Sequence, residues 1–294
     1  MTPEEVKTTN AKKVFYPEDG VTKGQVVDYY RNVAESMVVH LRGRPLTLRR
    51  FPNGIEQESW FQKGASDYLP DWIKVAKIPQ RKSGSVRHVL CEDTATLVYL
   101  ANQAAIEFHI WTSTIDSLNN PNLMVMDLDP VPQTQTTELR KLARRVREIY
   151  EKLGLTAYLQ ATGGRGFHVV APLDAEADYE TVHTLSREIA DYLVTKDPDR
   201  LTTQFRKDKR GSKIFLDANR NGYAQTFISP YSLRSRSGAA AATPLDWSEL
   251  GKAEPNGWDY AKIKLRLARK KDPWHTIYEN PGSASKALEG LRRL

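Results

Sequence analysis

The sequence predicts a mixed α/β fold in which central β-sheets carry a set of aspartates and helices flank the sheets, with residues 1–294 forming a single compact unit. Three observations predict it. Two apolar runs of strand length, 123–130 and 213–217, carry carboxylates. Strand-like segments at 156–160 and 167–172 enclose a glycine-rich turn. Between these lie longer stretches with helical spacing and caps, and no internal repeat interrupts them.

In chain order, 12–17 is a basic extended segment, and Thr22 is placed to cap a helix that runs to about Val39. Residues 45–89 are β-rich and contain Arg49, Arg50 and the adjacent aromatics Trp60 and Phe61. Neighbours on a strand face opposite ways, so one of the two aromatics is expected in the core and the other exposed. The exposed one either covers a small satellite core or stacks on a base. A helix over 94–105 leads into a strand in which Glu107 and His109 share the face opposite the apolar side chains. A second helix, 138–153, aligns Leu139, Leu142, Val146, Ile149 and Leu153 and stops at Gly154, with five cations directed outward. A third helix spans 179–194. Asp197-Pro198-Asp199 reads as a solvated turn. The alanine-rich 235–244 segment is the candidate flexible loop, and 259–271 is a basic terminal helix.

Alternation within 123–130 puts Asp127 and Asp129 on one face, with Met124, Met126 and Leu128 on the other. Asp217 emerges at the end of 213–217. Acids in an apolar strand must be paired, metal-bound or at its open end, and the aspartates alone fit a structural role as well as a functional one. Three together stay ionised only beside a cation. Their hard oxygens suit magnesium or manganese, and two such ions ~4 Å apart bind both the attacking and the leaving oxygen of a phosphoryl displacement.

The turn Thr162-Gly163-Gly164-Arg165-Gly166-Phe167-His168 lies between the acids in sequence. Its glycines allow a concave nest of N–H groups, Thr162 adds a hydroxyl and Arg165 a cation, which are the groups a triphosphate needs. A hairpin with a flexible glycine loop is the other reading. No helix is signalled after the glycines, which argues against a dinucleotide fingerprint or a P-loop. His168 alternates with Phe167 and Val169, so it is expected to face the acids. Neither His109 nor His168 has neighbours at zinc-ligand spacing.

Forty-three basic against 36 acidic residues, a net charge of +7 and a pI near 9.3 favour a polyanionic partner such as nucleic acid. Cys91 is the sole cysteine, so no intrachain disulfide forms and a reducing cytoplasm is expected. Neither a signal-peptide pattern nor an apolar run near the ~20 residues of a membrane helix is present.

Four motifs in order, 126–130, 163–168, 210–217 and 231–234, resemble the archaeo-eukaryotic primase superfamily, and more closely the polymerase domain of the bacterial end-joining repair ligases. The resemblance extends from Thr9 to the 259–271 helix. It implies a compact primase-polymerase fold and a template-directed polymerase that adds ribonucleotides and deoxyribonucleotides to a primer 3′-hydroxyl at short gaps or breaks. It further implies Asp127, Asp129 and Asp217 as ligands of two Mn2+ or Mg2+ ions. Thr162, Gly163, Gly164, Arg165 and His168 are implied as triphosphate ligands, aided by His109, Arg210, Arg220 and Arg234. Lys13 and Lys23 fall where such proteins bind a 5′-phosphate, and Arg50, Trp60 and Phe61 where they meet DNA. Thr162 replaces the family's usual serine, and Arg220 stands where a glutamine is frequent. The expected partners are DNA with gaps, nicks or broken ends, and a DNA ligase and a Ku-type end-binding protein in trans, since no ligase or phosphoesterase region is expected on this chain. A primase that starts chains de novo, a metal-dependent nuclease and a non-catalytic DNA-end bridging module are the alternatives.

Overall fold

Strand alternation and helix caps of the kind just described recur in the computed structural model, which describes residues 1–2, 5–80 and 84–294. Residues 81–83 of the expected β-rich stretch lie outside the described residues. The chain forms two compact units, each assembled from three segments. Unit 1 comprises Met1–Asp116, Ile228–Thr243 and Trp258–Asp272; unit 2 comprises Ser117–Phe227, Pro244–Gly257 and Pro273–Leu294.

Unit 1 opens with the ribbon β1 (Val14–Tyr16) and β2 (Val21–Thr22), followed by α1 (Lys23–Leu41). Thr22 caps α1 in a reciprocal box with Gln25, as its sequence position predicts. Then come β3 (Leu46–Arg50), β4 (Trp60–Gln62), the ribbon β5 (Val75–Pro79) and β6 (Ser85–Val89), α2 (Thr94–Asn102) and β7 (Ala105–Trp111). The expected 94–105 helix stops early. Ala104 adopts a positive φ of 64°, which turns the chain into β7 at Ala105. Buried Tyr30 ties these parts together: its hydroxyl donates to the Ile106 carbonyl and accepts from the Leu233 N–H at 2.9 Å.

Unit 2 contains β8 (Leu123–Asp129), α3 (Thr136–Lys152), β9 (Tyr158–Ala161), β10 (Phe167–Pro172), α4 (Tyr179–Lys196), β11 (Leu201–Thr202) and β12 (Ile214–Asp217). The chain passes between units through β13 (Thr226–Ile228) and β14 (Thr243–Leu245). Later come α5 (Tyr260–Leu267) in unit 1 and α6 (Ala284–Leu291) in unit 2. The six-stranded sheet of unit 2 runs β11-β12-β8-β10-β9-β14, and the four-stranded sheet of unit 1 runs β13-β7-β3-β4. In unit 2, α3 and α4 pack against the sheet. Met126, Leu128, Leu159, Phe167, Val169 and Leu216 are all buried.

Four expectations are corrected in whole or in part. Trp60 and Phe61 are both exposed, at 44% and 57%, because β4 is a three-residue edge strand. Each ring carries an arginine of β3 instead of a core contact: Arg50 lies 5.4 Å from the Trp60 centroid and Arg49 5.4 Å from that of Phe61. The alanines 239–242 are buried rather than forming a loose loop. Their small side chains let the backbone bond closely on both sides, through Arg234 N–H to Ala240 O at 2.7 Å and Ala241 N–H to Trp258 O at 2.7 Å. The solvated turn expected at Asp197-Pro198-Asp199 is present and Asp199 is exposed, but Asp197 is half-buried and accepts from Arg145 at 2.9 Å and Arg200 at 3.0 Å just past α4. Finally, α5 is shorter than 259–271 and not terminal, since α6 follows it.

Gly166 lets β10 approach β8. A Cβ there would collide with the carbonyl oxygen of Leu128 and stand 3.1 Å from its carbonyl carbon. Gly166→Ala is therefore expected to destabilise the protein by about 3 kcal/mol, read as a lower midpoint in denaturant unfolding.

Candidate metal and nucleotide site

Three antiparallel pairings of unit 2 place four polar residues in one line across the sheet. Asp217 on β12 is opposite Asp127 on β8, Asp127 is opposite His168 on β10, and His168 is opposite Gln160 on β9. Directly opposed residues project from the same face, so the row Asp217–Asp127–His168–Gln160 follows from register alone. Gln160 Nε2 lies 3.4 Å from His168 Nδ1, which leaves Nε2 of the ring directed at Asp127 Oδ1, 3.5 Å away. The expected orientation of His168 towards the acids is thus met.

Arg220 closes the row at its acidic end. Its Nε stands 3.3 Å from Oδ2 of Asp127 and 3.3 Å from Oδ2 of Asp217. The other oxygen of Asp217 accepts from the backbone N–H and side-chain amide of Asn219, at 3.0 and 2.9 Å. Burial pushes the Asp127 carboxyl up, but the His168 ring and the Arg220 guanidinium outweigh it and hold it at about 2. Asp217 shifts the opposite way: burial and the charge of Asp127 raise it despite Arg220. The two facing acids thus shift in opposite directions.

Asp129, two residues along β8, accepts from Arg210 Nη1 at 3.0 Å and lies 3.7 Å from Arg165 Nη2. Arg210 is 9% exposed and donates from its other nitrogens to Gln204 O and Phe205 O at 2.9 and 2.7 Å, with its guanidinium 3.8 Å from the Phe215 ring centroid. In this state it orients Asp129. The glycine turn differs from the open nest expected. Thr162 Oγ1 accepts from the N–H groups of Gly164 and Gly166 and donates to Gly166 O, while the Gly163 N–H donates to Pro255 O. A side-chain hydroxyl at the turn's start competes successfully for its amides. Gly163 takes φ +66°, a conformation that suits glycine.

The remaining predicted residues lie in unit 1. His109 Nε2 bonds Glu107 Oε2 at 3.0 Å. Glu107, almost fully buried, also accepts from the Ser235 N–H at 3.0 Å and its hydroxyl at 2.7 Å, and lies 3.8 Å from Arg49 and 3.7 Å from Arg234. Burial would raise its carboxyl, but the His109 hydrogen bond and the Arg234 charge hold it well below the usual carboxylate range. Lys13 and Lys23 are joined by the Lys23 N–H to Lys13 O bond at 2.7 Å. The buried Lys23 ammonium donates to Thr9 Oγ1 at 2.9 Å, and its pKa is lowered by burial and by the neighbouring Lys13. The exposed Lys13 ammonium donates to Asn53 Oδ1 at 2.6 Å. Arg50 donates to Gln103 O at 2.7 Å and Gln62 Oε1 at 2.9 Å.

The donor set of unit 2 fits a hard divalent ion. A cationic group already occupies the position between Asp127 and Asp217, so the carboxylates are arranged to be served by positive charge. No group of three or more His, Cys, Asp or Glu among the described residues forms a ready metal cage.

Sequence reasoning missed Gln160, Asn219, Asn221 and Glu107 as positioning residues. Buried Asn221 accepts from Val125 N–H at 2.7 Å and donates to Val125 O at 2.8 Å and Ala218 O at 2.9 Å, fastening the turn that bears Arg220 to β8. The spacing Asp217-Ala-Asn-Arg-Asn is the signal that could have shown it, because asparagines bond backbone groups near turns.

The family model described as "LigD, primase-polymerase domain" matches residues 22–274. The multifunctional non-homologous end joining DNA repair protein LigD of Mycobacterium tuberculosis is 34% identical over 277 residues, covering 92% of this chain and 36% of that protein. The bifunctional non-homologous end joining protein LigD of Bacillus subtilis is 30% identical over 275 residues, covering 93% of this chain and 44% of that protein. The chain thus spans well under half the length of these curated relatives. The polymerase domain of M. tuberculosis ligase D in complex with DNA superimposes with a TM-score of 0.87 at 32% identity, covering 94% of this chain and 99% of that one.

Glu107→Gln should cost about 3 kcal/mol at neutral pH, because it leaves Arg234 and Arg49 without their buried anion. Glu107's native pKa is depressed, so its contribution is complete above the ordinary glutamate value of about 4.3 and is lost as the pH falls below it. Denaturant unfolding of both proteins at pH 7 and at about pH 3 should show the difference shrinking with acidification.

Proposed function

The chain belongs to the LigD primase-polymerase domain family, and from that premise we propose that it is a template-directed DNA repair polymerase. It extends a primer 3′-hydroxyl with ribonucleotides or deoxyribonucleotides at short gaps or broken ends. The observation that carries the reading is the row Asp217–Asp127–His168 across three strands, with a cation held between the two acids.

Asp127, Asp129 and Asp217 would hold two divalent ions, Mn2+ or Mg2+. When bound, these supply the positive charge that aligns the 3′-hydroxyl with the α-phosphate and stabilises the charge developing there. Around them the chain's own groups bind and orient. Arg210 fixes Asp129, and His168 fixes Asp127. Arg165 and Arg220 are cations with exposed side chains suited to phosphate oxygens, with Thr162, Gly163 and Gly164 shaping the turn beside them. His109 and Arg234, oriented by Glu107, are proposed as further phosphate donors. Lys13 and Lys23 would take a 5′-phosphate, and Trp60, Phe61 and Arg50 would meet the templating strand by stacking and charge. The family model runs through both units, which supports treating residues 1–294 as one primase-polymerase domain. A DNA ligase and a Ku-type end-binding protein are the proposed partners, and the cytoplasm the proposed location. Among the described residues no helix is long and apolar enough to cross a membrane.

Primer extension on 5′-phosphorylated gapped DNA with manganese, with ribonucleotides and deoxyribonucleotides supplied separately, tests the reading. Asp127→Ala or Asp129→Ala is expected to lower extension by roughly 10³-fold or more while DNA binding persists. Undiminished extension in either variant would remove the assignment. Lys23→Glu is expected to lose about tenfold in affinity for phosphorylated gaps but little for unphosphorylated ones. Equal losses on both substrates would reject the 5′-phosphate role.

A further inference from the structure

Asp127 and Asp217 face each other across two paired strands, an arrangement that repels unless positive charge lies between them. In this structure the charge comes from the chain itself. The Arg220 Nε is equidistant from the two carboxylates, 3.3 Å from each, in the position from which one ion could serve both. Its backbone is anchored. The turn Asn219–Asn221 starts two residues after Asp217, Asn219 ties back to Asp217 Oδ1, and Asn221 is clamped to both backbone groups of Val125.

The side chain is much freer than its backbone. Arg220 is 41% exposed, whereas Arg210, the partner of Asp129, is 9% exposed and spends three nitrogens on Gln204 O, Phe205 O and Asp129. Arg210 is built to stay. Arg220 is held more loosely, because its Nε contacts are longer than those of Arg210 and its side chain reaches solvent.

We propose that Arg220 is a built-in counter-ion that competes with a divalent ion for Asp127 and Asp217, so that metal loading requires its guanidinium to swing out of the gap. This rests on the metal-site reading above and adds an order of events to it. An incoming triphosphate offers acceptor oxygens to the displaced guanidinium, so nucleotide and metal favour each other's binding, and the coupling is reciprocal. Without nucleotide the site binds metal only weakly, because the chain's own guanidinium already neutralises the two acids.

Mn2+ binding without nucleotide, followed by calorimetry and by the electron paramagnetic resonance of free Mn2+, tests this in the wild-type chain, Arg220→Gln and Arg220→Lys. Arg220→Gln should bind Mn2+ about tenfold more tightly than wild type. A non-hydrolysable triphosphate should then tighten Mn2+ binding less in that variant than in wild type. In chelator, Arg220→Gln should melt below wild type, and saturating Mn2+ should narrow the gap. Arg220→Lys, whose single ammonium bridges two carboxylates less well, should fall between, and it decides the matter if Arg220→Gln does not fold. Mn2+ binding equal to or weaker than wild type in the folded variant overturns the proposal and leaves the metal site standing. Absence of Mn2+ binding in every protein overturns the proposal together with the metal-site reading.

Discussion

Electrostatic repulsion between Asp127 and Asp217 is the constraint on which the rest of the candidate site depends. The β8–β12 register sets them opposite each other, and two unit charges about 5 Å apart repel by about 3 kcal/mol at the effective dielectric of a protein site. A sheet holds such a pair only if its other face is well packed and the acids are neutralised locally. Both conditions are met. The residues alternating with the acids are buried apolar side chains, and Arg220 lies between the Asp127 and Asp217 carboxylates while Arg210 and Arg165 stand beside Asp129.

The two units solve opposite charge problems with the same kind of network. In unit 2, acids lie on one face of the sheet and cations stand beside them. In unit 1, the buried acid Glu107 bonds His109 and stands near Arg49 and Arg234, so that two guanidinium groups lie around one fixed anion. The first arrangement suits a divalent cation and the second an anionic ligand. Buried ion clusters of this sort add little to net stability, and their value lies in fixing geometry. The cost of disrupting them is high because each remaining charge would be stranded.

Backbone fastening does as much for the site as charge. Asn221 pairs with Val125 beyond the end of β12, in effect extending the sheet edge by one side chain, and this determines where Arg220 begins. Thr162 closes the glycine turn on itself, which fixes the turn's shape. The short approach of Gly166 to Leu128 keeps β10 in register with β8, and with it His168 beside Asp127.

Most of the local structure was legible in the sequence because it depends on local rules. Alternation placed Asp127 and Asp129 on one face, Thr22 announced α1, and Gly154 ended the helix expected over 138–153, as the structure bears out. The family, too, was visible from four short motifs in order. What failed depended on neighbours distant in sequence. Trp60 and Phe61 are both exposed because β4 lies at a sheet edge, and the alanines 239–242 are buried because Ser232 and Trp258 happen to flank them. The same holds for the site. Residue types alone nominate three aspartates and several cations, but which cation meets which acid is decided by strand register and by the turn after β12. Periodicity speaks only of a residue's face, whereas pairing across strands is a property of the folded chain, so the wedge of Arg220 between two acids belongs to the tertiary structure alone.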